Sequence, residues 1–357
     1  MEPTQFLEYI AKYAPKLILK ITDYLNDTQR DRPYYHQRYL TPRYSVTGSW
    51  EMVNKYNKAI AADVIALDSS IPLKSNPSIE MYGGEIPKIA IEKAFNESDL
   101  RKLDLMMASN TPESQIIEFI FEHLPAVITG QYERHELNFL QGLSTGQILL
   151  TNADNVGTNV RVDFGYKAEN KFNASVVWGQ AGYTPLSDLE RVVEKSRTDG
   201  TPIRKFLIDR ATFNLIRKSD EAKAYWNPLT ANQPALSLDQ LNSAVEGVLG
   251  FTFEIIERTI VTEINGKQTI VNPWEAGRVI GITREDLGAL VYTDLAESRH
   301  PVAGVNYQKA GNNGYILTKQ YRLVRPSLKE ITASESMSLT VLSNVNEIYS
   351  FDSTVTA

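Results

Sequence analysis

The chain has 357 residues, with 37 Lys and Arg against 43 Asp and Glu, 42% hydrophobic residues and no cysteine. At roughly 150 residues per domain the length suggests about two domains with ample core, and charged and aromatic fractions of 22% and 10% exclude global disorder. Zero cysteine excludes disulfides, thiol nucleophiles and cysteine-based metal sites; the net charge of −6 argues against nucleic-acid binding through overall charge; no apolar run reaches the ~18 residues of a membrane span. With Glu2 and Glu8 in its first residues, the N-terminus does not read as a secretory signal. The expectation is a soluble protein of a reducing interior.

Residues 1–44 differ in character from the rest of the chain. Phe6, Tyr9, Ile10 and Tyr13 fall at helical spacing, Pro15 interrupts, and Leu17, Ile18 and Ile21 resume an apolar face. From Arg30 to Tyr44, Arg30, Arg32, Arg38 and Arg43 oppose the single acid Asp31, interleaved with Tyr34, Tyr35, Tyr39 and Tyr44, while Pro33 and Pro42 block a regular helix. This segment reads as an extended arm without a core of its own, lying on another surface. Residues 45–95 turn to strands: Ala59 to Leu67 and Ile86 to Ile91 flank the turn-rich stretch Asp68–Ser78, a long β-hairpin that leans on a neighbour.

Residues 96–183 open on helix. Thr111 as N-cap and Pro112 at the first helical position precede an apolar stripe from Ile116 to Ile128. With Pro125 and Gly130 as kinks, the pattern continues to Gly146, about 35 residues or roughly 50 Å. Residues 184–311 alternate helices and strands. Ser187 with Glu190 and Ser237 with Gln240 form two capping boxes, Asp209 caps a helix after the buried strand Phe206–Ile208, Gly250 stops another, and Asn265-Gly266 turns a hairpin. Residues 312–357 are strand-like and must pair with earlier strands.

Few motifs carry chemistry. Gly142-Leu143-Ser144-Thr145-Gly146 matches a nucleophile elbow, but helix enters and strand leaves, the reverse of what that chemistry needs, so a helix stop is the better reading. The histidines His36, His123, His135 and His300 lack metal-ligand spacing: His135-Glu136 is followed by Phe139 where a zincin places its second His. Asn152-x-Asp154 only faintly echoes a calcium loop, with Val156 at a ligand position. No phosphate-binding glycine loop occurs, and no cofactor is expected. The Arg/Tyr segment is the one functional candidate, since both residue types are enriched at protein interfaces and also serve single-stranded nucleic acid.

In order, Ala61–Asn76, Pro87–Ala94, the Glu136–Gly146 stretch, Val162-Asp163-Phe164-Gly165 through Trp178 and Pro185, Ile208–Phe213, Gly250–Phe253, Tyr321–Pro326 and Ser336–Leu342 resemble the major capsid proteins of tailed phages with the Hong Kong 97 shell fold. The nearest group is the lambda-type major head protein, or E family. The resemblance implies an α+β chain with an N-terminal arm (1–44), an extended β-hairpin loop (45–95), a peripheral domain with a long spine helix (96–183), an axial α/β domain (184–311) and closing peripheral strands (312–357).

It also implies a structural protein, not an enzyme, that forms hexamers and pentamers of an icosahedral shell around double-stranded DNA. Assembly would take place in the host bacterial cytoplasm with a scaffold, a portal and in some cases a decoration protein, and the product would be the virion. An acidic subunit would let the genome move past the shell, and an arm beginning at Met1 is expected to remain untrimmed. Arg30, Arg32, Tyr34, Tyr35, Arg38 and Tyr39 are the candidates for contact between subunits. Lys74 and Asn76 join them as the residue types of an isopeptide cross-link. The competing readings are an encapsulin-type nanocompartment, which uses the same fold around cargo enzymes, and a serine hydrolase built on Ser144.

Overall fold

The computed structural model describes residues 2–27, 29–55, 79–150, 160–226, 235–264 and 266–356. The chain begins with α1 (Leu7–Asn26), α2 (Tyr35–Tyr39) and β1 (Leu40–Tyr44), then β2 (Ser49–Lys55), β3 (Ile79–Glu85) and β4 (Lys88–Phe95). Helices α3 (Glu97–Ala108), α4 (Glu113–Ile120) and α5 (His123–Thr145) lead to β5 (Gln147–Leu150), β6 (Val160–Asp163) and β7 (Lys171–Ala174). Next come α6 (Pro185–Thr198), β8 (Lys205–Asp209), α7 (Arg210–Lys218), α8 (Asp220–Trp226), α9 (Leu238–Leu249) and β9 (Thr252–Ile256). The remainder is β10 (Ile260–Ile264), β11 (Lys267–Val271), β12 (Arg278–Ile282), β13 (Gly288–Thr293), α10 (Ala296–Arg299), β14 (Asn306–Ala310), β15 (Ile316–Leu323), β16 (Lys329–Leu342) and β17 (Ile348–Thr356).

Contacts divide the chain into two interleaved units, one of Met1–Trp50, Gly83–Phe139 and Gly288–Val341, the other of Glu51–Tyr82, Leu140–Leu287 and Leu342–Ala357. The first is built on a sheet of order β1-β13-β16-β15-β14, with β4 also on β16. Under this sheet Ile10, Ala14, Ile18 and Leu25 of α1 pack with Phe95, Leu100, Ile120, Leu124, Val127 and Ile128 in one apolar cluster. Residues 6–25 therefore share a core within their own chain. Pro15 does not interrupt α1. It removes one i→i−4 bond, while residues on both sides of it bury the same face, and that burial outweighs the loss.

The long helix is two helices. A proline ring crowds the carbonyl four residues earlier, which for Pro125 is that of Phe121. So α4 ends at Ile120, and α5 restarts at His123 with Pro125 in its first turn, where no N–H is needed. Its 23 residues span about 34 Å. Gly130 lies where a Cβ would approach Ile91 Cδ1 to 2.9 Å, so a glycine lets β4 pack closely on this helix.

The second unit holds a five-stranded sheet, β7-β17-β12-β8-β9, in which β8 and β9 run parallel while β12 is antiparallel to both β8 and β17. Phe206, Phe213, Phe251, Phe253, Val279 and Phe351 are buried between this sheet and α6, α7 and α9. Asp209 accepts the Thr212 N–H at 3.1 Å at the start of α7, Ser237 and Gln240 close their capping box, and Gly250 ends α9 at φ +79°. The Ser187–Glu190 box does not form. With Pro185 in its first turn, α6 starts earlier, and Glu221 of α8 accepts the orphan N–H groups of Leu186 (2.6 Å) and Ser187 (2.9 Å).

Candidate assembly surface

The Arg/Tyr segment is docked on its own chain. β1 pairs in parallel with β13, Leu40 opposite Gly288 through Tyr44 opposite Tyr292. Tyr34 and Tyr39 are 2% and 1% exposed; Tyr34 donates to Glu133 Oε1 at 2.8 Å, and Tyr39 stacks on Phe139 at 6.0 Å. As candidates for contact with a neighbouring subunit these two are corrected: both rings already fill this chain's core. Tyr35 is half-buried, whereas Arg32 and Arg38 remain on the surface with the partly exposed Arg30. The Arg30 guanidinium lies 4.4 Å from the centre of the Tyr34 ring, and that of Arg38 lies 5.1 Å from Tyr39. The arginines thus cap buried tyrosines and present charge outward.

What fastens the segment is a buried carboxylate. Glu136 of α5 is wholly inside. Its Oε1 accepts the Tyr35 N–H at 2.9 Å, and its Oε2 accepts the His36 N–H at 3.0 Å and lies 2.7 Å from His36 Nδ1. His36 is 1% exposed, and its ring centre is 5.9 Å from that of His135 on the same helix as Glu136.

Beside this joint runs a polar seam. β16 buries Thr332, Ser334, Ser336, Ser338 and Thr340, alternate residues on one face. Gln131 Nε2 donates to Ser334 Oγ (3.1 Å), Ser336 Oγ donates to Gln131 Oε1 (2.8 Å), Ser336 and Ser338 lie 2.7 Å apart, and Ser338 Oγ is 3.2 Å from His135 Nε2. Each hydroxyl has one proton to give. Ser336 uses its proton on Gln131, so Ser338 must donate to Ser336 and accept from His135. Neutral His135 is therefore the Nε2–H tautomer, and its Nδ1 lone pair is buried with no partner. Burial, then the charge of His36, then that of Arg134 hold the His135 pKa well below its ordinary value. Sequence reasoning missed Glu136, Gln131 and the serine ladder. The available signal was a period-two hydroxyl run in β16 matched to polar residues four apart, Gln131 and His135, on one face of a helix.

The other candidates fall elsewhere. Lys74 and Asn76 lie outside the described residues, as do the whole Ala61–Asn76 stretch, the Asn152–Asp154 turn and Asn265. Ser144 is 1% exposed, donates to the Gln141 carbonyl at 3.3 Å and accepts the Glu275 N–H at 3.1 Å. Gly146 at φ +78° ends α5, and a Cβ at Gly142 would come within 2.8 Å of Phe164 Cε2. The Gly-x-Ser-x-Gly motif is thus a helix stop with a close-packed glycine and a buried fastening serine, not an exposed nucleophile. Among the described residues no three His, Cys, Asp or Glu side chains group to hold a metal ion. β10 and β11 form a separate hairpin that exposes the facing pair Val261 (58%) and Ile270 (72%).

No protein-family model matches the chain, and no curated protein is significantly similar to it in sequence. Solved structures are similar in fold. A protein described as the capsid protein of a prophage of Escherichia coli CFT073 aligns over 94% of this chain and 98% of its own, at 10% identity and a TM-score of 0.57. A phage-related protein of Bordetella bronchiseptica RB50 aligns over 94% and 96%, at 12% identity and a TM-score of 0.52. At such identities the likeness is one of fold. The chain has the Hong Kong 97 shell fold of phage capsid proteins.

Proposed function

We propose that the chain is the major capsid protein of a tailed phage, of the lambda-type head-protein group, assembling as hexamers and pentamers into an icosahedral shell around double-stranded DNA. The observation that carries this reading is the end-to-end fold match to a prophage capsid protein, which leaves almost no part of either chain unaccounted for. The five-part division into arm, extended loop, peripheral domain, axial domain and closing strands is kept as a division by role. The arm's first helix is docked on its own chain. Scaffold, portal and decoration protein are the proposed partners, the host cytoplasm the proposed place of assembly, and no catalytic role is assigned.

The surface suits many modest contacts. The exposed Val261–Ile270 pair on a two-stranded hairpin, marginal when isolated, would be covered between subunits, and Arg30, Arg32 and Arg38 would meet acidic neighbours. Interfaces that are large but partly polar let subunits shift without separating.

Electron microscopy with light-scattering mass, on the chain expressed alone and with its genomic neighbours, tests the reading. Closed shells or capsomers of hundreds of kilodaltons are expected, and a persistent monomer of 40.2 kDa overturns it. Nuclease-resistant genome-length DNA in the particles separates a phage shell from a nanocompartment for cargo enzymes. Replacing Arg30, Arg32 and Arg38 together with Glu is expected to abolish shell formation with the circular dichroism of the chain unchanged. Wild-type shell yield from that variant would remove the arginines from the interface.

A further inference from the structure

We propose that residues 34–44 are held by an acid-released latch: the buried Glu136–His36 pair, set beside the bare imidazole of His135, fastens this segment to α5 near neutral pH and lets it go when His135 takes a proton. The latch works within one chain and does not depend on the shell reading.

The geometry supports this in three ways. First, the start of the segment is fastened from inside. Glu136 accepts both leading N–H groups of α2 and pairs with the His36 ring, beside the packed rings of Tyr34 and Tyr39, and the next strand, β1, pairs with β13 at the end of its sheet. Second, the seam has no place for a second proton on His135. Its Nε2–H is committed to Ser338, its Nδ1 has no hydrogen-bond partner, and the rings beside it are those of Tyr315 (5.7 Å between centres) and His36 (5.9 Å). A proton on Nδ1 makes a buried cation without a hydrogen-bond acceptor, which is costly. Third, water can reach the His36 side of the joint, while His135 does not line the opening and takes its proton once the segment lifts. A cavity of about 50 Å³ lined by His36, Asn26, Gln37 and the exposed Asn312 is large enough for water.

The groups around the two rings come from every element packed on them. Tyr34 comes from the segment itself; Tyr132, Glu133 and Arg134 share α5 with His135 and Glu136; Tyr315 packs on His135 from just before β15; β16 presents only hydroxyls. Burial pushes Tyr132 up to about 12 and Tyr315 well above its usual value, so neither titrates in acid. The latched state holds His135 neutral below the ordinary histidine pKa of ~6.5, and the released state binds a proton there. His135 therefore adds no pH dependence to closure above about 6.5 and weakens it as pH falls below that, by up to tenfold in the closing equilibrium per pH unit.

Hydrogen exchange on the full-length chain between pH 7.5 and 5.0, corrected for the intrinsic pH dependence of exchange, tests this. Protection of residues 35–44 is expected to fall up to tenfold per unit below pH 6.5 while β8 and β12 stay protected. His135→Gln, which keeps an N–H for Ser338 and carries no titrating group, is expected to flatten that fall. Unchanged protection down to pH 5.0, an equal fall in His135→Gln, or loss shared with β8 and β12 overturns the proposal. Should the variant fail to fold, ¹⁵N signals of the wild-type imidazoles decide: His135 protonation and opening of the segment must share one midpoint, and separate midpoints overturn it.

Discussion

Glu136 in the first unit and Asp188 in the second are carboxylates buried against polar clusters, and the two clusters are built differently. In the second unit Asp188 accepts from Ser175 Oγ (2.7 Å), the Ser175 N–H (3.1 Å), Trp178 Nε1 (3.0 Å) and Arg191 (2.8 Å). None of these donors changes its charge between pH 5 and 9. In the first unit Glu136 accepts from two backbone N–H groups and an imidazole, with a second imidazole next to it. Both carboxylates have hydrogen-bond donors on them. Only the Glu136 site has His135, with its lowered proton affinity, beside it, so the same device, a buried acid as fastener, is fixed in one place and conditional in the other.

Removing the acid at each site is the strongest way to break this comparison. Asp188→Ala leaves the Trp178 and Ser175 donors and part of the Arg191 charge uncompensated inside the protein, and is expected to cost about 3–5 kcal/mol. Denaturant unfolding followed by tryptophan fluorescence checks it, and the loss should be the same at pH 8 and pH 5.5. Glu136→Gln keeps the shape and one acceptor oxygen but not the charge, so about 2–3 kcal/mol is expected. That loss should fall on residues 34–44, with Tyr35 and His36 amides exchanging faster while the phenylalanine core of the second unit stays protected. A uniform loss would mean that Glu136 supports the whole unit instead of one segment.

The two sites also differ in how legible they were. The helix caps at Asp209, Ser237 and Gly250, the helix stop at Gly146 and the hairpin around Gly266 rest on residues within a few positions of each other, where local stereochemistry decides the outcome. The docking of residues 34–44 rests on a parallel pairing with a strand nearly 250 residues away and on Glu136, 100 residues away. Composition cannot announce either: Arg, Tyr and Pro in one stretch read as an extended arm whether the tyrosines face a neighbour or the chain's own helix. The serine ladder of β16 misleads in the same direction, because alternating hydroxyls ordinarily mark a solvated face. Here the polar stripe of α5 turns that face inward. The split of the long helix was legible in kind from Pro125, but its position followed from the carbonyl that the ring crowds.

A packing variant sharpens the contrast. Gly130→Ala puts a methyl group 2.9 Å from Ile91 Cδ1, so the end of the Ile91 side chain must turn aside. The gain in helix propensity is below about 1 kcal/mol, and an off-rotamer side chain costs about 0.5–1.5 kcal/mol, so a net loss of no more than about 1 kcal/mol is expected. No titrating group changes its surroundings directly, and thermal unfolding at pH 7.5 and 5.5 should show equal losses.

Ser338→Ala removes a single oxygen and is the most diagnostic. It deletes the acceptor of the His135 Nε2–H and leaves Ser336 without the proton that Ser338 supplied. At pH 7.5 the loss is two buried hydrogen bonds between neutral groups, about 1–2 kcal/mol together. The imidazolium would lose more than the neutral ring, because a charged donor makes the stronger bond. The His135 pKa in the closed state therefore moves further down while that of the open state stays at ~6.5. The pH at which stability begins to fall is unchanged, and the two curves run parallel until the wild-type closed state itself takes a proton; only in stronger acid does the variant's deficit grow. Titration of the His135 imidazole ¹⁵N signals into strong acid in wild type and variant checks this. An equal midpoint would show that the ladder holds His135 in place without setting its proton affinity, whereas a lower midpoint in the variant ties the hydroxyls of β16 to the titration of the joint.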